Sequence, residues 1–336
     1  VFVYHWSDFP GDPREVLTSY YDAMFYTASW GSRRVMFRFP CAALDLERAS
    51  AYCQPLIVED YISFAEVGEH VVLDVWFNGE EGHYWDEVGG GLAILLSLRD
   101  EILSGDYRAL YLAWLKVLEW DDLLPSVPEP PVPPGLRTLS PALQAFVEFL
   151  EIDGMLIEVA AEASGDRGSE PDGWLGNALS QLPPVERDTF LLRLAQGEPH
   201  LAVALNRRLR EVSPLPVTAL PPCRTVGWLL SEAKARRERE RQRRAAEAEA
   251  RRIRELEALA ERKAEVWAEV ESLIERMQPR PYDDAVSRMV RLRELAEYQG
   301  EEDAFQQRID EIYGRYNRRP SLQGRMRDAG LFPTEG

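Results

Sequence analysis

From Trp228 to Gln278 the chain runs 51 residues without a glycine or a proline. A stretch so free of breakers and so rich in Ala, Glu, Arg and Leu has one favoured regular conformation. Residues 225–278 are therefore expected to form a long charged helix, roughly 80 Å at about 1.5 Å per residue. Its two halves make different demands. In the second half Ile253, Leu256, Ala260, Trp267, Val270, Ile274 and Met277 recur with three-four spacing, and Lys263 fills the one polar position. Such a stripe needs partner helices. "YDDAVSRMVRLRELAEYQG" offers Ala285, Met289, Leu292 and Ala296, and "EDAFQQRIDEIYGRYNR" offers Phe305, Ile309, Ile312 and Tyr316. Residues 279–336, a helical hairpin and tail, are expected to close a three-helix C-terminal bundle on the stripe.

The first half, about 232–252, has no apolar stripe. Glu232, Glu240 and Glu247 each stand four residues before an arginine (Arg236, Arg244 and Arg251), the spacing of helix-surface ion pairs. Residues 225–254 carry 10 basic and five acidic side chains, a net of +5. No aromatic residue lies between Trp228 and Trp267, so unstacked bases would find no ring to stack on. The pattern is expected to be a solvated spacer helix. Two sharper readings use the same residues: a phosphate-contacting surface built from Arg236, Arg237, Arg241, Arg243 and Arg244, or a docking face for an acidic protein.

Ahead of this run the chain reads as three further parts. Residues 1–124 are expected to form a small α/β domain. In it Asp12 caps a helix with Pro13 at its first position, and Leu17, Tyr20, Tyr21, Met24 and Phe25 share a face that Gly31 ends. "RRVMFRFP" alternates Val35, Phe37 and Phe39 against Met36 and Arg38, as a strand does. "YISFAEVGEHVVLDVWF" reads as a β-hairpin turning near Gly68, with Val71, Leu73, Val75 and Phe77 on one face. Helices at about 92–104 and 107–119 follow, the second capped by Asp106. Residues 125–136 ("PSVPEPPVPPG" and Leu136) are expected to be a Pro-rich linker with extended polyproline geometry. A helical middle domain, 137–212, begins at the Ser140-Pro141 cap and continues with helices at 154–163, 184–195 and 199–211. A second Pro-rich linker spans 213–224. The expected class is α+β and predominantly helical.

Charge and motifs narrow the function. Residues 1–200 hold 12 basic and 33 acidic side chains, a net of −21, which repels nucleic acid through the long-range field. Cys41, Cys53 and Cys223 lack any metal or redox spacing and are expected to be buried reduced thiols. His5, His70, His83 and His200 form no ligand pair on one helix. "GEEGHYWDE" reads as a solvated acidic loop, and Gly89–Gly91 as a permissive turn without the lysine of a phosphate-binding loop. No catalytic, cofactor-binding or metal-binding residue is expected, and neither is a membrane-spanning segment.

Several words of the sequence are distinctive. "YHWSDFPGDPREVLTSYYDAMFYTASWGSRRVMFRFP", "LRDEILSGDYRALYLAWL" and "PPVPPGLRTLSPALQAFVEFLEIDGMLIEVAAEAS" stand in that order, with the tail "RRPSLQGRMRDAGL" after the Arg/Glu-rich helix. In these the chain resembles a family of bacterial cytoplasmic proteins to which no activity is assigned. The resemblance implies a bacterial, cytoplasmic origin and a further segment ahead of the first word. It carries over no functional residue. The leading expectation is a non-catalytic scaffold or adaptor whose partner is another protein, an auxiliary component of a bacterial defence or stress-response assembly. The alternatives are a nucleic-acid-associated accessory protein, or an enzyme with a site around His5, Asp8 and residues 80–87.

Overall fold

The structure, a computed structural model, describes residues 2–4, 12–28, 31–53, 61–78, 92–120, 125–166, 173–198, 201–213 and 224–333. The fold is α+β and predominantly helical, and it divides into two compact units, residues 1–237 and 238–336.

The first unit is built on a five-stranded sheet ordered β1-β2-β3-β5-β4. β1 (Phe2–Tyr4) runs parallel to β2 (Ala23–Thr27). β3 (Arg33–Pro40), β4 (Ile62–Val67) and β5 (His70–Phe77) complete it in antiparallel pairing. The expected hairpin is β4–β5, with Gly68 at φ +63° in its turn. The helix α1 (Pro13–Tyr20) starts where expected, with the Asp12 carboxylate accepting from the Arg14 amide, but it is shorter than its apolar face implied. Met24 and Phe25 belong to β2 instead, because Ala23–Thr27 pairs with β3 in the register Met24↔Met36 and is buried on both faces. A strand covered on both sides loses the alternation that would announce it.

One face of the sheet carries Phe25, Val35, Phe37, Phe39, Leu73, Val75 and Phe77 into the main core. The other packs Met24, Tyr26, Met36 and Val72 against Leu17 of α1. Short helical segments at α2 (Leu46–Ala49) and α3 (Ser97–Leu103) edge the main core. Through its middle runs α4 (Arg108–Trp120), capped by Asp106 as expected. Every residue from Tyr107 to Leu118 is buried, so α4 is central rather than amphipathic. α5 (Pro141–Leu150), started by the Ser140 hydroxyl, and α6 (Gly154–Ala161) pack on it.

Residues 125–136 are not a spacer. Val132 and Leu136 lie in the same core as the sheet and α4, and the Glu129 side chain is 0% exposed. The segment is held by backbone bonds from Glu129 N to Arg224 O, Val226 N to Val127 O and Gly227 N to Pro125 O. A Cβ at position 227 would stand 2.8 Å from the Pro125 Cβ, so only glycine admits this approach. The Arg224 guanidinium grips the Glu129 carboxylate at 2.6 and 2.7 Å, and the Tyr111 hydroxyl donates to the same carboxylate. The main core thus runs from β2 through Ala233, crossing the boundaries expected at 124 and 136. Of the second Pro-rich segment, 214–223 lies outside the described residues, as does Cys223. Of the thiols expected to be buried, Cys41 is exposed and Cys53 is half-buried against the main core.

The second unit has its own core. The expected helix 225–278 is two helices, α10 (Val226–Glu261) and α11 (Lys263–Glu275), interrupted at Arg262 (φ −107°, ψ 13°). Met277 adopts φ +53°, and its side chain is exposed, so the apolar stripe ends at Ile274. Leu256, Val266, Val270 and Ile274 pack against α12 (Pro279–Gln299) and α13 (Glu302–Arg315). All eight anticipated partner residues on those helices are buried. The tail adds a further helix, α14 (Pro320–Asp328), which contributes Leu322 and Met326.

Two measurements test the first unit's core. Glu129→Ala strands Arg224 in the interior and lowers the unfolding free energy by about 3–5 kcal/mol in urea denaturation. Glu162→Ala, which removes an exposed pair with Arg236, changes it by less than about 1 kcal/mol. Burial raises Tyr52 and Tyr111, and pushes Tyr107 up to about 12 with help from the Asp45 charge. The unfolded phenols release their protons near 10 while the folded ones keep them. Stability is therefore complete below pH 10 and falls as pH rises toward 12. Tyr107→Phe shallows that fall, which alkaline denaturation with absorbance at the phenolate band reads directly.

Candidate interaction surfaces

The five arginines singled out in the sequence do not form one free cationic patch. Arg236 is joined to Glu162 and, at 3.2 Å, to Glu232, and Arg237 is paired with Asp153 at the start of α6. These two fasten α10 to the first unit. Arg243 bonds Glu240 at 2.9 and 3.0 Å, and Arg244 bonds the same carboxylate at 2.7 Å. Hydrogen bonds from Arg243 and Arg244 push Glu240 down to about 2. Only Arg241 of the five stands exposed without an ion pair among the described residues. The i,i+4 pairs expected at Glu232–Arg236 and Glu240–Arg244 are present. From Arg241 to Arg252 every side chain is exposed, so the solvated-helix reading describes this stretch.

Arg236 also lines an open groove of about 570 Å³ with Arg137, Gln144, Glu158 and Glu162. Both of its arginines stand beside carboxylates: Arg236 is paired with Glu162, and Arg137 lies within 3.8 Å of Asp166. On the sheet's second face Asp74, 5% exposed, accepts two bonds from Arg34 at 2.6 and 2.8 Å and lies 3.6 Å from Arg14. This ion pair is satisfied within the fold. His5, Asp8 and residues 80–87 lie outside the described residues, as do Gly89–Gly91. No group of three His, Cys, Asp or Glu side chains poised around a metal occurs among the described residues, nor any helix long and apolar enough to cross a membrane.

The surface that sequence reasoning missed lies at residues 174–212. α7 (Trp174–Gln181), α8 (Pro184–Ala195) and α9 (Leu201–Val212) surround a small core of Trp174, Ala178, Leu182 and Leu209. α9 joins the main core through Val203, and Arg207 reaches the Ala43 carbonyl at 3.5 Å. α8 differs from its neighbours: none of its residues is buried. Val185, Leu191, Leu192 and Leu194 are 77%, 59%, 60% and 64% exposed. Leu191 and Leu194, with Phe190, form one wall of an apolar groove of about 280 Å³, and Leu179, Leu182 and Leu201 lie across from them. Scattered exposed apolar residues are ordinary, but four on one twelve-residue helix beside an apolar groove are a concentration that sets this surface apart. The signal was in the sequence. "PVERDTFLLRLA" has more apolar positions than one buried face of a short helix needs.

Two ion pairs border this groove, and Arg187 lines it. Glu186 accepts from Arg208 at 2.8 and 3.1 Å, and Arg193 bonds Glu198 and lies 5.3 Å from the Phe190 ring. Residues 174–213 carry five arginines and four carboxylates, net +1, whereas residues 1–173 carry 10 basic and 30 acidic side chains, net −20. Residues 174–213 are thus near neutral, whereas residues 1–173 are strongly acidic. Because α8 contributes nothing buried, Leu191→Glu with Leu194→Glu leaves the thermal midpoint within about 2 °C of the parent, as surface substitutions do. The same change reduces binding of a hydrophobic dye to the native protein. A large drop in midpoint would show these leucines to be core instead. Compared with protein families, curated proteins and solved structures, the chain matches none.

Proposed function

We propose that the chain is a non-catalytic protein-interaction component, a scaffold or adaptor, that receives a protein partner on the α7–α9 face. The observation carrying this reading is the exposed apolar surface of α8 beside the groove that α7 and α9 complete. Apolar area of this kind has no use in water and gains free energy only when a complementary surface covers it. The Glu186–Arg208 and Arg193–Glu198 pairs beside the groove fit a protein surface better than a polyanion, which would meet a carboxylate beside each of these two arginines.

The nucleic-acid reading is weaker. Four of its five arginines already stand beside carboxylates, so a phosphate would meet that negative charge together with the arginine. A photoreactive phenylalanine at Leu192 tests the adaptor reading in cells of the native host. A discrete crosslinked species that survives nuclease and disappears with Leu191→Glu/Leu194→Glu is the expected result. No crosslink at Leu192, together with nucleic acid recovered in a strongly salt-dependent manner, would turn the assignment to the arginine helix.

A further inference from the structure

We infer that the occupant of the α8 face is a second copy of this chain, paired antiparallel through α8 about a two-fold axis near Phe190. This inference rests on the interaction reading above and names its partner. Phe190, Leu191 and Leu194 point to one side of the helix, with Arg187 completing the groove wall. Glu186 and Arg193 stand seven residues apart, two helical turns, and so share one flank of that seam. In an antiparallel pair like flanks face each other, which sets Glu186 of each copy opposite Arg193 of the other, twice by symmetry. Both side chains are now held at the rim by partly exposed intrachain pairs, weak enough to share their partners.

Electrostatics of the whole unit single out the same place. Two copies carrying a net of −20 over residues 1–173 repel one another over most of their surface. Residues 174–213, at +1, add almost nothing to that repulsion and expose apolar area. α8 has 12 residues and is thus about 18 Å long, so the seam with its groove walls covers less than the roughly 800 Å² per partner of a standard interface. The pairing is accordingly weak and concentration-dependent, not obligate.

Sedimentation velocity of the purified full chain from about 0.1 to about 100 µM covers the range expected of a small interface. The weight-average mass should rise from the 38.4 kDa monomer toward twice that value. Leu191→Glu/Leu194→Glu should hold the chain at the monomer mass throughout, with an unchanged far-UV circular dichroism spectrum showing that it is folded. Arg193→Glu alone should weaken the dimer about tenfold, and adding Glu186→Arg should restore it. A chain that stays monomeric at every concentration, or a dimer indifferent to the leucine pair, overturns the inference. Loss of the dimer in Arg193→Glu without rescue overturns the antiparallel arrangement. A monomer that still yields the Leu192 crosslink to another protein would leave the adaptor reading standing and defeat self-pairing alone.

Discussion

The first unit depends on a carboxylate with no exposure. Glu129 belongs to a proline-rich segment that cannot supply regular hydrogen bonding of its own, yet it sits where α4, α6 and the start of α10 converge. A buried charge of this kind is tolerable only when its partner is fixed and its remaining lone pairs are filled. Arg224 supplies a two-pronged grip, Tyr111 a third bond, and Arg224 spends its other protons on the carbonyls of Val159 and Ala160. Parts of the chain about a hundred residues apart are joined by one charge-assisted cluster. That is why the boundaries suggested by proline content do not separate folding units.

The same device recurs. Arg33, 4% exposed, donates to the Phe149 carbonyl and to Glu151 at the end of α5. Lys116 donates to the Glu151 carbonyl, and Arg108 to the carbonyls of Gly135 and Thr138. Helix C-termini leave carbonyls without intrahelical donors, and a guanidinium can serve two of them while keeping a carboxylate partner. In the first unit Arg33, Lys116 and Arg224 thus fasten helix ends inside an acidic chain, and Arg108 fastens the turn at residues 135–138. In the exposed part of α10 the same residue type makes local pairs with glutamate, where each is worth little and the effect is solubility and helicity.

What could be read from the sequence followed periodicity. The β4–β5 hairpin, β3, the Asp12, Asp106 and Ser140 caps, and the eight partner residues on α12 and α13 all rest on spacing rules, and all appear in the structure. The misreadings share a physical origin. Ala23–Thr27 is buried on both faces, so no alternation distinguished it from the helix before it. The break at Arg262 involves neither glycine nor proline, so no helix-breaking residue announced it. Residues 125–136 looked like a linker since their hydrogen-bond partners, Arg224 to Gly227, lie too far along the chain for any window to see. Of the candidate surface, the arginines were visible as letters but their pairings were not. α8 was placed correctly at 184–195, and its surplus of apolar positions was in view, but which of them stay exposed depends on packing that no spacing rule carries.

That lack of burial bears on how α8 exists as a helix. Twelve residues are marginal in water even for good helix formers. α8 has favourable ends, with Pro184 at its start, Glu186 in its first turn and Arg193 in its last. Beyond these it has one tie to α9, Glu186 to Arg208, and one half-buried ring, Phe190. Local terms of this size leave the helix near the low end of the stability range within the unit. Covering Leu191 and Leu194 would therefore do two things together, burying apolar area and deepening the well in which α8 is folded. Binding at this face would couple to local order for a simple reason. The residues that would meet a partner are the residues that no part of the first unit has used.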